Sequence, residues 1–381
     1  MPELDTITIK GFKSIASVEK LKLGAINVVI GPNGSGKSNF IGVFALIKAL
    51  RAGRLQDYAG KIGVGNLLHF GPKVTDALQL ELAFHGDGGR VYAVSLEPGM
   101  VTDLVPLKET AAHDGTGETD YAGPEDNGPV WSVAEKMRRH GNEAGLSDDE
   151  TLGPVSRWIA AQVDGWMICH FHDTSEFSSM RLPCAVDDNR RLRADGSNLP
   201  AFLHLLKQKH PTTYSLIRRT VQRVAPFFDD FVLEPSKLNT DKIKLEWKHR
   251  EQDQYFDAWA LSDGTLRFIA LATLFLQPKE LRPPLILVDE PELGLHPYAI
   301  NLLGSMVKSA AVDSQVILAT QSPLLLDEFS PKDVLVAERD GHATIFRRLN
   351  AESLESWLED YSLGELWEKN ELGGRPKAWL G

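Results

Sequence analysis

Apolar and polar positions alternate from the start of the chain: Leu4 to Lys10 (LDTITIK) has the period of a half-buried strand. Ile26 to Ile30 (INVVI) is a continuous β-branched run suited to a buried strand, and a glycine-rich loop follows it. From Asn39 to Leu50 the apolar residues Phe40, Val43, Phe44, Ile47 and Leu50 recur at helical spacing, so strand, loop and helix follow in order. Residues 76–96 predict two strands around the turn His85 to Gly89 (HGDGG). The stretch from Glu109 to Gly128 is rich in Gly, Asp, Glu and Thr and poor in apolar residues, which predicts a mobile loop over 109–128.

Farther on, Asn198 to Phe231 carries apolar residues at helical spacing interrupted by Pro211 and Pro226, predicting two or three short helices, a lobe over 195–235. Asp195, Gly196, Ser197 and Asn198 offer a turn and N-cap before Leu199. Strands return around Lys242 to Trp247, Leu285 to Asp289 and Val316 to Thr320, the last two each preceded by a helical pattern. That alternation predicts an α/β fold with a largely parallel sheet. Internal repeats and sustained heptads are absent from the sequence.

With 381 residues, 43% hydrophobic and 24% charged, the chain can bury a full core. No run approaches the roughly 20 apolar residues of a membrane helix, and the N-terminus does not read as a signal peptide, so a cytoplasmic location with no membrane partner is expected. Cys169 and Cys184 are too few for a disulfide framework and are expected to carry no chemistry. A formal net charge of -11 argues against a broadly basic surface but leaves a local DNA-binding patch open.

Gly31-Pro32-Asn33-Gly34-Ser35-Gly36-Lys37-Ser38 fits the G-x-x-x-x-G-K-[ST] phosphate loop and sits between a strand and a helix, as that motif requires. Its glycines let backbone N–H groups and a helix N-terminus face phosphate oxygens, Lys37 reaches the β- and γ-phosphates of ATP, and Ser38 can ligate Mg2+. A chance glycine-rich turn would lack the flanking elements. Asn33, Gly34, Ser35, Gly36, Lys37, Ser38 and Asn39 are therefore the expected nucleotide contacts. Leu285 to Glu290 (LILVDE) is an apolar strand ending in two carboxylates. Period two separates their roles: Asp289 can hold the Mg2+ shell while Glu290, as general base, faces the attacking water. Alone, such a pair could be a charged strand end; beside a phosphate loop it reads as catalytic.

Asp289 to Pro297 (DEPELGLHP) resembles the extended acidic motif and following loop of the ABC-type ATPase heads found in SMC, RecF and overcoming-lysogenization-defect (OLD) proteins. Ile9 to Ile15 (IKGFKSI), followed by IGPNGSGKSN, is similar to their opening. Leu261-Ser262-Asp263-Gly264-Thr265 resembles their signature motif, with Asp and Thr where transporters more often carry Gly and Gln; by itself it would be an ordinary helix cap. The resemblance implies a P-loop NTPase head of ABC type spanning 1–381, with a largely parallel sheet, an N-terminal antiparallel β part and a helical lobe. Residues 1–100 would form the phosphate-loop lobe, 236–335 the signature, acidic and switch region, and 336–381 a C-terminal tail, whose aromatics spaced among charges from Leu363 to Trp379 could dock on the head or on a partner, its own head being the better reading. It also implies a head-to-tail dimer, or a higher homo-oligomer, in which Ser262 and Gly264 bind the γ-phosphate held by the other protomer.

Two departures qualify the resemblance. Gln321, in Thr320-Gln321-Ser322-Pro323, stands where such heads commonly place a switch histidine; glutamine can hydrogen-bond a phosphate or water but cannot carry its proton, which predicts slow hydrolysis. The glutamine usually found between phosphate loop and signature is not identifiable: Gln56 and Gln79 lie in the right region without a matching context, and Leu67 to Gly71 (LLHFG) could belong to that region.

His170-Phe171-His172-Asp173 puts two histidines on one face of an expected strand, but no third or fourth ligand can be named, so structural histidines are the better reading than a Zn2+ or Mn2+ site. Arg190 to Arg193, Arg218, Arg219 and Arg223, and Lys242 to Arg250 read first as solvated faces and second as phosphate-backbone contacts. SMC-like coiled-coil arms and the metal-dependent nuclease domain that follows an OLD head are not recognisable. The resemblance therefore implies a regulatory ATPase of a defence or DNA-maintenance system acting through a separately encoded effector, such as a nuclease, or through DNA. The alternatives are a RecF-like repair clamp on duplex DNA, a transporter motor, which DEPELGLHP and the large middle insertion oppose, and a non-hydrolysing nucleotide sensor.

Overall fold

The N-terminal alternation becomes the strand Leu4–Phe12, whose Ile7 and Ile9 are fully buried and which is paired on both edges, Ile7 facing Leu21 on one side and Leu82 on the other. The computed structural model describes residues 4–86, 89–99, 103–113, 133–137 and 141–373. These group into two compact units: Met1–Trp166 with Pro331–Glu355 and Lys369–Gly381, and Met167–Ser330 with Ser356–Glu368.

In the first unit, six strands form an antiparallel sheet in the order Ile15–Lys22, Leu4–Phe12, Leu78–Phe84, Arg90–Pro98, Leu104–His113, Val133–Lys136. This is the expected antiparallel β part. Ile26–Ile30 pairs in parallel with Val334–Asp340, which turns back antiparallel into Ala343–Arg348. That hairpin crosses the boundary expected between switch region and tail. The helix Lys37–Arg51 buries all five residues of its helical repeat, Phe40, Val43, Phe44, Ile47 and Leu50, with Phe44 against Trp166 (ring centroids 5.6 Å apart) and Phe40 against Phe346 (5.0 Å).

The second unit holds three parallel strands, Met167–Cys169, Leu285–Asp289 and Gln315–Thr320, in register through Ile286 with Met167 and Leu287 with Ile317. The helix Asp263–Leu276 is buried from Leu266 to Phe275, a stretch that is apolar apart from Arg267 and Thr273, as a helix with so wide an apolar surface must be. Leu199–Lys209 and Pro211–Val224 are the expected lobe helices, each with a proline in its first turn, where its missing N–H costs nothing. The lobe ends earlier than its helical spacing suggests: Phe228–Val232 is a strand, paired with Glu246–His249. The parallel strands, the antiparallel sheet and the helices make up the α/β head that the motifs imply. Among the described residues no helix is long and apolar enough to cross a membrane.

Two local expectations are overturned. The loop expected over 109–128 is strand through His113, and residues 114–128 lie outside the described residues. Glu109 explains the misreading. It looks like a loop residue but is buried, accepting hydrogen bonds from Tyr92 Oη (2.9 Å) and the backbone N–H groups of Gly145 (2.6 Å) and Leu146 (3.0 Å). Burial raises its pKa and these donors oppose the rise. The strand expected to include His170 and His172 ends at Cys169, paired with Val288.

Removing the Glu109 carboxylate strands two buried N–H groups and a phenol. Glu109→Ala is expected to lower stability by about 2–4 kcal/mol, read as a fall in the thermal or denaturant midpoint, and Glu109→Gln by less.

Candidate functional site

The phosphate loop leaves the Ile26–Ile30 strand through Gly31 and closes a turn in which Ser35 N donates to Pro32 O (3.1 Å). Gly36, at φ 106°, caps the helix that begins at Lys37, and a side chain there would strike Thr344 and Ser14. Thr344 Oγ1 donates to Ser35 O (2.8 Å) and accepts from Ser14 Oγ (2.7 Å), and Asn39 Nδ2 donates to the same Ser14 hydroxyl (2.7 Å). The loop is thus braced by the N-terminal turn and by the Val334–Arg348 hairpin. Lys37 is buried, its Nζ donating to the carbonyls of Gly31 (2.7 Å) and Pro32 (3.1 Å), while Asn33, Gly34 and Ser38 are exposed. Asn39 therefore serves as a brace as well as an expected contact.

In the second unit Asp289 is the last residue of its strand, opposite Ala319, and Glu290 has already left the pleat with a left-handed backbone at φ 40°. Period two is therefore not what separates the two carboxylates; the left-handed turn is. A non-glycine residue in that region is held there by its surroundings and is common at functional sites. The surroundings are visible. Glu290 N donates to Ala319 O (2.7 Å), and Gln321 Nε2 donates to Glu290 Oε1 (2.6 Å). Glu292 in turn accepts from Thr320 Oγ1 (2.6 Å) and from Gln321 N (3.1 Å). Burial, the largest influence, raises the pKa of Glu292, the Thr320 bond lowers it, and the nearby Glu290 charge adds to the rise. The structure thus joins the expected base to the expected switch residue, with Glu292 behind them.

Ser262 caps the helix Asp263–Leu276, its Oγ accepting from Thr265 N (3.2 Å). Gly264 has a packing duty: a Cβ there would run into the carbonyl oxygen of Gly294, in the loop after the acidic pair. Two buried arginines hold this region. Arg267 donates from Nε to Phe171 O (2.9 Å), from Nη2 to His172 O (2.9 Å) and from Nη1 to Leu293 O, and burial lowers its pKa. Arg181 pairs with Asp263 (2.8 Å) and donates to the carbonyls of Thr174, Ala258 and Leu261. Neither arginine, nor Glu292 nor Thr344, stands out in the sequence. The only trace is an Arg two residues after the signature Thr, inside an otherwise apolar helix.

The Gln56 side chain is occupied by Leu104 O (2.8 Å) and Asn142 O (2.7 Å), and Gln79 lies exposed on the Leu78–Phe84 strand. The carbonyls of Phe171 and His172 serve Arg267, and among the described residues no group of three or more His, Cys, Asp or Glu is gathered as a metal site. Several of the basic residues are paired with acids, Arg193 with Asp188, Arg218 with Asp230, and Lys244 with Glu246 and Asp257.

The matched family model, described as "AAA domain, putative AbiEii toxin, Type IV TA system", covers residues 26–85 and 172–327, which include the phosphate loop, the signature segment, the acidic loop and Gln321. The chain belongs to this family. It is accordingly an AAA domain, of the ATPase class. It is 20% identical to the OLD nuclease of Thermus scotoductus over 99% of this chain and 71% of that protein. A 61-residue stretch is 44% identical to the chromosome partition protein Smc of Mycolicibacterium paratuberculosis, covering 14% of this chain and only 5% of that much longer protein. The fold is that of an SMC head. An SMC head bound to the C-winged helix domain of ScpA matches with a TM-score of 0.60 at 18% identity, over 92% of this chain and 99% of that one. An SMC head with an extended coiled coil, bound to the C-terminal domain of ScpA derived from Pyrococcus furiosus, matches with 0.55 at 15% identity, over 94% and 99%.

Arg267→Met would leave three carbonyls without their donor. It is expected to cost about 2–4 kcal/mol and to speed hydrogen exchange in the loops around residues 171–173 and 293–295 before other regions.

Proposed function

We propose that the chain binds ATP with Mg2+ at its phosphate loop and hydrolyses it, and that two copies complete each other's sites head to tail, alone or within a higher homo-oligomer. The observation that carries the hydrolysis reading is the 2.6 Å hydrogen bond from Gln321 to Glu290, made at a strained position directly after the strand end. The chain's own groups fit a nucleoside triphosphate. Ser35 Oγ is buried without a hydrogen-bond partner, and Lys37 is bonded to loop carbonyls that it can exchange for phosphate oxygens. The first N–H groups of a helix, here starting at Lys37, have no intrahelical acceptor.

In this reading Lys37 contacts the β- and γ-phosphates, with Asn33, Gly34, Ser35, Gly36 and Asn39 around them, and Ser38 and Asp289 hold the metal. Mg2+, when bound, neutralises charge on the phosphate oxygens. Glu290 accepts the proton of the attacking water, and Gln321, unable to carry a proton, orients that carboxylate. Ser262 and Gly264, at the N-terminus of a 14-residue helix, serve the nucleotide of the other copy; Ser262 and Asp263 are exposed, as that role requires.

The likeness to an OLD nuclease over nearly the whole chain supports a regulatory ATPase of an anti-phage defence or DNA-maintenance system that controls a separate effector such as a nuclease. SMC heads bound to ScpA domains support a protein partner on the head. The similarity to the chromosome partition protein Smc over a 61-residue stretch favours DNA as the alternative target, in the manner of a RecF-like clamp.

ATP turnover measured against protein concentration, with and without duplex DNA, tests this reading. Specific activity is expected to rise with concentration and to fall by a factor of at least about 100 in Glu290→Gln. DNA stimulation would favour the clamp. Turnover independent of concentration and surviving Glu290→Gln would remove both the base and the paired sites. Gln321→Ala is expected to lower kcat more than it changes KM, because it loosens the base and not the phosphate contacts.

A further inference from the structure

Phe70 stands beside the phosphate-loop braces and contributes little to the core. Its side chain is 57% exposed, yet its backbone is held left-handed at φ 57°, a conformation that bulky residues adopt only under constraint and that points toward function. The constraint comes from both sides. His69 N donates to Gly11 O (3.0 Å), His69 Nδ1 is bonded to Lys13 O (2.7 Å), and Gly71 N donates to Leu68 O (3.1 Å). The ring itself is set nearly perpendicular to two imidazoles, His69 at 4.5 Å and His342 at 5.6 Å between centroids.

The same two turns brace the phosphate loop. Lys13 precedes Ser14, whose hydroxyl accepts from Asn39 and donates to Thr344, and His342 precedes by two residues the Thr344 that donates to Ser35 O. A phosphate loop grips only phosphates, so the base of a nucleotide needs a separate surface. An exposed aromatic ring whose backbone is held next to the loop's own braces can supply one.

Resting on the reading of the loop as an ATP site, we propose that Phe70, flanked by His342, is the stacking platform for the base of the bound nucleotide. Because every base presents a π-face, stacking on Phe70 sets affinity and not the choice between adenine and guanine.

Equilibrium binding of ATP, GTP and inorganic tripolyphosphate to the full chain tests this, with Phe70→Gly, which suits the left-handed backbone, and Phe70→Trp, which keeps a π-face. Phe70→Gly is expected to weaken ATP and GTP about tenfold and leave tripolyphosphate unchanged. Phe70→Trp is expected to keep ATP affinity and to show fluorescence quenching by ATP but not by tripolyphosphate. Unchanged ATP affinity in Phe70→Gly, or an equal loss for tripolyphosphate, would overturn the platform while leaving the phosphate loop's role intact. A wild-type chain that binds neither ATP nor tripolyphosphate would instead overturn the ATP reading on which the platform rests.

Discussion

The buried Arg267 guanidinium is the contact on which the second unit's functional loops depend. It is desolvated, which is costly for a charge, and it offsets that cost by donating to three carbonyls, those of Phe171, His172 and Leu293. Two of these carbonyls belong to the segment after the Met167–Cys169 strand and one to the loop after the acidic pair, while Arg267 itself lies on the Asp263–Leu276 helix. Gly264 completes the join by letting the helix start lie against the Gly294 carbonyl. The start of the Asp263–Leu276 helix is thus in direct contact with the loop that follows Asp289 and Glu290. In the proposed dimer, where Ser262 and Gly264 meet a phosphate held by the other copy, these contacts would link that event to the acidic pair.

Strain is placed where chemistry is expected. Glu290 sits in a left-handed conformation immediately after the strand, with Gln321 on its carboxylate and Glu292 accepting from Thr320 and from the Gln321 backbone. Phe70 holds a similar backbone beside the braces of the phosphate loop. In the first unit the loop is not self-supporting. Thr344 and Ser14, more than three hundred residues apart, fix Ser35, Gly36 and Asn39, so the geometry around Lys37 depends on both ends of the chain.

Sequence made legible those features whose demands are local. The phosphate loop is a run of residues each with its own conformational or chemical task, and the helix after it buries every residue that its spacing nominated. The acidic strand end and the signature cap were legible for the same reason. What escaped acts across distance. Arg267, Arg181, Glu292 and Thr344 have partners tens to hundreds of residues away and no repeating pattern. Glu109 looked like part of a polar loop because its partners, Gly145 and Leu146, lie beyond that segment. The histidine pair looked like strand because nothing in HFHD announces that Phe171 and His172 give their carbonyls to an arginine and not to a neighbouring strand.

The paired-site claim is tested most directly by mixing two chains that are each inactive, one with Lys37→Ala at the phosphate loop and one with Ser262→Arg at the signature. Two heads that complete each other head to tail would form mixed pairs containing one site with an intact phosphate loop, acidic pair and signature, so ATP turnover should reappear on mixing. Turnover that stays at the sum of the two separate chains would contradict the account and leave each head acting alone.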